Sequence, residues 1–352
     1  MSYKQLKFAR EYRGLSQTEL SRAIPGLSQS NLSKFEKGFN TLSEDSQKKI
    51  IEFLNFPSTF LDRKISNPVV GNYRKRSSVS KSSITSFENK CRLVGYIIDE
   101  MSDSLDWPEF TFISFNLEKD YTPEYAAQYT RKMLGLDTDE PVRDICELLE
   151  SKGIILYEID GEEKFDGLSF FTDKGYPVII YNKNFSNDRK RFTLAHELCH
   201  LICHNENQFP IAPNRNKEKE ANHFAPEFLM PKSVIINSLR RLKLADIGQL
   251  KQYWLTSMAS INYRAYSLGC ISEKLYLYYK TELSRLGYGR REPFDVYIDR
   301  PSCFKNAYEL FTKELNYTLE DFEKYFSLPV DILKDIFDFD TLVKLKITYT
   351  ES

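Results

Sequence analysis

Apolar residues recur along this chain in two rhythms, and the places where one rhythm gives way to the other mark its elements. Near the N-terminus Leu20, Ala23 and Ile24 fall at i, i+3 and i+4, one apolar helix face. Ser16 and Glu19 form a capping box at its start, and Pro25 and Gly26 end it. Ser28 caps a second short helix on which Leu32 and Phe35 point inward, and Gly38 stands at the usual stop. More helix is predicted over 43–56, 84–103, 123–135 (Pro123 in its first turn) and 141–153, where Pro141 opens and Gly153 closes the pattern. The rhythm then shortens. IILYEI, LSFF and VIIY read as three short strands, the last two separated by a Lys-Gly turn. Helical spacing returns at 191–204, where apolar residues surround the axis and predict burial. It continues through 216–231 and 232–289, and in amphipathic pieces such as AYELFTKEL and LEDFEKYFSLPVDILKDIF.

This order, helices before a small sheet and helices after it, predicts an α+β chain with an all-α head and a helical C-terminal region. The boundaries expected are 1–65 for the head, 66–122 for a linker and helical connector, 123–235 for the central domain and 236–352 for the C-terminal helices. Residues 67–83, rich in Ser and basic residues and containing Pro and Gly, read as the linker, and their YRKR run is one place to touch phosphates. Residues 293–352 carry many aromatics and no catalytic motif, which leaves a sensing module and plain helical packing both open.

Composition narrows the class. With 41 % hydrophobic and 28 % charged residues the chain has the balance of a globular protein. No run of about eighteen apolar residues is present, so no membrane partner is expected. The six scattered cysteines have no CxxC spacing and read as free thiols, and the N-terminus has no apolar signal core; the expectation is a cytoplasmic protein. The net charge of −1 hides an asymmetry: residues 1–81 hold 15 Lys and Arg against 7 Asp and Glu. A basic head on an acidic body suggests an anionic partner for the head alone.

Three of the four histidines crowd into RFTLAHELCHLICH, 191–204. His196 and His200, one helical turn apart, can reach one metal ion, and Glu197 beside them can take a proton from a water on that ion. This is the HExxH pattern of zinc metallopeptidases, and Zn2+ is the cofactor it predicts. A third protein ligand is required, and His204, Glu218 and Glu220 compete. Glu218 shares a helix stripe with the small residues Ala221 and Ala225, which let two helices approach closely, so it is preferred; Asn222 lies one turn on as its supporting partner. His204 falls two residues short of the metzincin spacing, whose Gly is also missing. No oxyanion donor is readable; His223, Tyr263 and Tyr266 are the nearest candidates. Cys199 and Cys203 read as small apolar packing before any redox role.

Two resemblances follow from these residues. LxxxREYRGLSQTELSRAI followed by LSQSNLSKFEKG, over residues 3–60, resembles the Xre/Cro-type helix-turn-helix family of repressors. The resemblance implies DNA as a partner, with Gln29, Ser30 and Lys34 where base readers sit, Gln17 at a phosphate, and Lys37 and Asn40 near the backbone. RxRFTLAHELxHLxxH followed by ExEANxFAxxFLMP, with FDGLSFF, PVIIYN and YWLTSMASINYRAYSLGCISE around them, resembles the ImmA/IrrE metallopeptidases over 125–280. That resemblance implies a gluzincin-like fold, His196, His200 and Glu218 as ligands, Glu197 as base, and an Xre-type repressor as the protein cleaved to switch on stress-response or mobile-element genes. Cys199 departs from the small residue usual there. A transcription regulator or antitoxin-like protein whose zinc domain binds without cutting is the alternative, and a homodimer is one assembly to test.

Overall fold

A computed structural model describes residues 2–65, 81–118, 121–137, 139–161 and 165–338. The chain divides into two compact units. Of the described residues, the first contains 2–65, 81–101 and 305–338, and the second those within 102–304.

The first unit opens with α1 (Ser2–Tyr12), α2 (Gln17–Ala23), α3 (Gln29–Glu36), α4 (Glu44–Phe53) and a single 3-10 turn, then α5 (Lys81–Met101). Ser16 makes the capping box with Glu19, and Ser28 and Ser43 cap α3 and α4. Leu6, Leu20, Leu32, Ile50 and Phe60 are fully buried and form the core. Ala23 and Ile24 do not join it. Ile24 is already extended (φ −114°, ψ 113°), so α2 ends before the i+4 position can come round to the core. Glu36 ties three helices together: it accepts two bonds from the Arg10 guanidinium (2.6 and 2.8 Å) and one from Gln17 Nε2 (2.7 Å). The linker expected over 67–83, with its YRKR run, falls outside the described residues as far as residue 80.

In the second unit Thr122 caps α6 (Pro123–Met133), and α7 (Ile145–Glu150) leads into β1 (Ile155–Ile159), β2 (Gly167–Phe171) and β3 (Pro177–Asn182). The helix expected over 141–153 is reduced to α7 for a local reason. The carbonyls of Val142 and Arg143 accept from the Arg191 guanidinium, so they are turned away from helical amides. Two amides of the first α7 turn, Cys146 and Glu147, are met by the Asp299 carboxylate at 3.0 and 2.7 Å. The sheet order is β1-β3-β2, with β1 parallel and β2 antiparallel to the central β3. β3 is buried at every position and β2 is an edge. α8 (Asn187–Cys203) follows and is the spine of the core; Leu194, Leu198 and Ile202 are fully buried among Ile179, Phe224 and Phe228. That placement explains a helix apolar all round. α9 (Lys217–Leu229) packs on α8, with Ala221 and Ala225 fully buried, and α10 (Lys232–Leu239), α11 (Ile247–Trp254), α12 (Met258–Ser267) and α13 (Glu273–Arg285) complete the unit. A buried pair, Arg264 with Glu227, joins α12 to α9.

The chain then forms α14 (Cys303–Lys313), α15 (Leu319–Phe326) and α16 (Val330–Ile336). From Lys305 to Asp338 it belongs to the first unit, so the described helices of the block expected over 236–352 are shared between the two. Tyr96 Oη donates to the Phe326 carbonyl (2.8 Å), Arg63 to that of Tyr325 (2.9 Å), and Arg13 pairs with Asp331 (2.6 Å). Tyr308, Phe322, Phe326 and Phe337 stack together beneath them. No helix among the described residues is long and apolar enough to cross a membrane.

Candidate metal centre

Helical geometry places His196 and His200 on one face of α8, one turn apart. Their Nε2 atoms lie 3.2 Å from each other. From α9, Glu218 reaches the same point: its carboxylate oxygens stand 3.5 Å from each of the two Nε2 atoms. The three donor atoms lie within 4.8 Å of one another. Burial acts to raise the Glu218 carboxyl, yet hydrogen bonds and charge from the two imidazoles prevail and pull it down to about 2. Two imidazole nitrogens and an ionised carboxylate converging on one point suit Zn2+, which takes three protein ligands and keeps a fourth position open.

The other two candidates for third ligand stand elsewhere. His204, at the end of α8, turns its Nδ1 to His200 Nδ1 (2.9 Å) and its Nε2 to Glu220 Oε2 (2.8 Å). Arg215 holds the other Glu220 oxygen at 2.6 and 2.9 Å. Burial, and after it the neighbouring His200, pushes the His204 imidazole down to about 2.

Glu197 is 4 % exposed and follows the first histidine on α8. Its Oε2 accepts from the Ser169 hydroxyl at 2.7 Å. Ser169 lies on β2, and Gly167, two residues earlier on the same face, lies so close to α8 that an added Cβ would come within 2.5 Å of Thr193 Cγ2. Neither residue is signalled by the sequence as chemistry, because serine and glycine in a strand carry no spacing motif; only the fold brings them to Glu197. A cavity of about 620 Å³ opens here, lined among others by Gly167, Phe192, Thr193, His196, Glu197 and Glu218.

His223, Tyr263 and Tyr266 do not line this cavity. His223 pairs with Glu124 on the surface (2.9 Å), and the two tyrosines pack with Tyr276. Cys199 and Cys203 are buried, and burial pushes the Cys199 thiol well up, as packing residues require. In the first unit Gln17 and Gln29 are brought together, with Gln29 Nε2 donating to Gln17 Oε1 at 3.0 Å. Gln29, Ser30 and Lys34 are exposed on α3, and Lys37 is exposed at its C-cap.

The family model described as Peptidase_M78, IrrE N-terminal-like domain, matches residues 150–266, about a third of the chain. The match spans β1 to α12 and includes both histidines, Glu197 and Glu218. It supports a peptidase-type domain there. Among solved structures a Mycobacterium tuberculosis transcriptional regulator is 16 % identical with a TM-score of 0.31, over 43 % of this chain and 48 % of that one. The chain thus spans about half the length of that regulator. No curated protein matches.

Proposed function

We propose that this chain is a zinc-dependent endopeptidase with a DNA-binding head, acting on a repressor of the Xre type. The observation that carries the peptidase reading is that Glu197, next in sequence to the donor His196, lines the same open cavity as His196 and Glu218, two of the three converging donors. A site that only bound metal would have no use for that carboxylate. When bound there, zinc supplies Lewis acidity toward a peptide carbonyl and lowers the pKa of a water to about 7. His196, His200 and Glu218 hold the ion. Glu197 accepts the proton from the attacking water and delivers it to the departing amine. Ser169 orients that carboxylate through the 2.7 Å bond to Oε2. β2, which contributes Gly167 to the cavity wall, is an edge strand among the described residues, the kind of edge an extended substrate segment can join.

For the head, support comes from the basic balance of residues 1–81 and from the exposed face of α3 that carries Gln29, Ser30 and Lys34. Gln can pair with adenine and Lys can donate to guanine in the major groove. Gln17, fixed by Glu36 and bonded to Gln29, is set to orient that reader. The repressor substrate and the release of stress-response or mobile-element genes rest on the family resemblance.

The test is a trap. Glu197→Gln keeps the donors and removes the base, and partners captured with it in host cells are compared with those of wild type by mass spectrometry. A repressor held whole by the variant and found cut with wild type establishes the reading. Recovery of DNA alone, or of a toxin intact with both, favours a regulator or antitoxin that does not cut.

A further inference from the structure

We propose that the segment from Tyr288 to Asp295 is the specificity wall of the substrate cleft, and that Arg290 and Arg291 on it take an acidic side chain of the segment to be cut. The inference rests on the peptidase reading above and names the substrate class for its cavity. That cavity is lined by His196 and Glu197 and also by this segment, through Tyr288, Arg290, Arg291 and Glu292. The segment is neither helix nor strand, yet it is held on both sides of the arginines. On one side the Tyr288 amide donates to the Leu283 carbonyl (2.9 Å) and the Arg290 amide to that of Gly287 (3.2 Å), which closes the turn off α13. On the other side Glu292 is the anchor. One of its oxygens accepts from Lys251 Nζ (2.8 Å) and the Met258 amide (2.7 Å), and the other from the Ala259 amide (3.2 Å), in the first turn of α12. Lys251 is buried, so this ion pair is held firmly. Phe294 then lies over Gly248, where an added Cβ would meet its ring at 3.0 Å, and it takes a φ of 62° that a bulky residue adopts only under constraint. Charge decides what such a wall can receive. Of the cavity's carboxylates, Asp166 is paired with Arg189, Glu292 with Lys251, Glu197 is bonded by Ser169, and Glu218 belongs to the metal donors. Of its cations, Arg189 and Lys251 are taken up by those pairs. Arg290 has no ion pair among the described residues. Arg291 has only Asp295 at 3.8 Å, with both side chains about 85 % exposed, a contact worth next to nothing. Two guanidinium groups are therefore left for a ligand, and their planar forks match a carboxylate.

The experiment uses the full-length, zinc-loaded Glu197→Gln chain, which lacks the base and holds a peptide without cutting it. The probes are three mixtures of end-blocked, fluorescein-labelled decapeptides, random apart from two central residues that are acidic, uncharged or basic. Affinity is read by fluorescence anisotropy. The acidic mixture is expected to bind about 5-fold more tightly than the basic one, the effect of one partly exposed ion pair. Adding Arg290→Glu and Arg291→Glu is expected to invert that order, with zinc content unchanged. Arg240→Glu with Arg241→Glu makes the same change in net charge at exposed positions outside the cavity, and is expected to keep the order of the parent chain. This control separates the wall from the basic head and from the general field of the molecule. Should the charge reversal fail to fold, Arg290→Ala with Arg291→Ala carries the comparison, and the preference for acid is expected to vanish. Equal affinity for the three mixtures, no measurable affinity for any, an acidic preference that survives loss of both arginines, or one lost equally in the Arg240 and Arg241 control overturns the proposal. The same mixtures given to the chain with Glu197 restored, and analysed by mass spectrometry, separate the two readings. An acidic mixture bound through the arginines but never cut removes the peptidase reading and leaves the preference of the wall standing.

Discussion

Gly167→Ala tests how β2 is seated against the α8 helix. An alanine Cβ would meet Thr193 Cγ2 at 2.5 Å and the Ile180 carbonyl oxygen at 3.1 Å. Carbon atoms rest at about 3.5–4.0 Å, so the methyl contact is roughly 1 Å too close. Thr193 cannot swing away: it is 5 % exposed and β-branched, and its rotamers are few. The edge strand must therefore lift from the helix. Overpacking of this kind costs about 1–3 kcal/mol. The lift also moves Ser169, two residues on, away from Glu197, and misplacement by about 1 Å can lower a rate by around 100-fold. Urea unfolding at fixed zinc, and proteolysis of the trapped substrate, measure the two effects. Thr193→Ser deletes the offending methyl and is expected to restore most of the stability in the double variant, leaving only the milder contact with Ile180. Gly167→Ala unfolding within about 0.5 kcal/mol of wild type, or a double variant no better than the single, would refute this account of the β2–α8 contact.

In the head, Gln29→Ala with Lys34→Ala should abolish sequence-selective binding while leaving salt-dependent, non-selective binding; footprints unchanged from wild type would remove the reader assignment. Ser169→Ala should reduce kcat with little change in zinc content, because the hydroxyl touches Glu197 and none of the three donors; equal activity would free Ser169 of any role. Arg13 holds the Asp331 carboxyl below its usual range. A depressed carboxyl adds stability above its unfolded pKa of about 4, and that contribution disappears as pH falls through the folded value. Because the pair is substantially exposed, Asp331→Asn should cost no more than about 1 kcal/mol at pH 7, and the two curves should converge in acid. A gap that widens toward low pH would reverse the assignment.

Much of the candidate centre can be read from the chain because HELCH is local: two histidines and a carboxylate within five residues need only a helix to converge. Glu218 is legible for a similarly local reason, since Ala221 and Ala225 on its stripe are buried where α9 packs on α8. His204 competes on paper because it continues the same spacing; only the turn after α8 and the pull of Glu220 show it facing away. What depends on long-range pairing stays hidden. α7 is short because Arg191, distant in sequence, holds the carbonyls of Val142 and Arg143 just before it, and Asp299 holds the amides of Cys146 and Glu147 in its first turn. The aromatic C-terminal helices announce amphipathic packing, yet nothing in their periodicity names α5 and the head as the surface they cover. Ser169 and Gly167 illustrate the same limit at the site itself.

The most direct test of the account is the zinc content of the purified, zinc-loaded and desalted chain, measured by mass spectrometry of the metal for wild type, Glu218→Ala and Glu197→Gln. One zinc per chain in wild type and Glu197→Gln, with a large loss in Glu218→Ala, is the predicted result. No zinc in wild type, or full retention in Glu218→Ala, would contradict it.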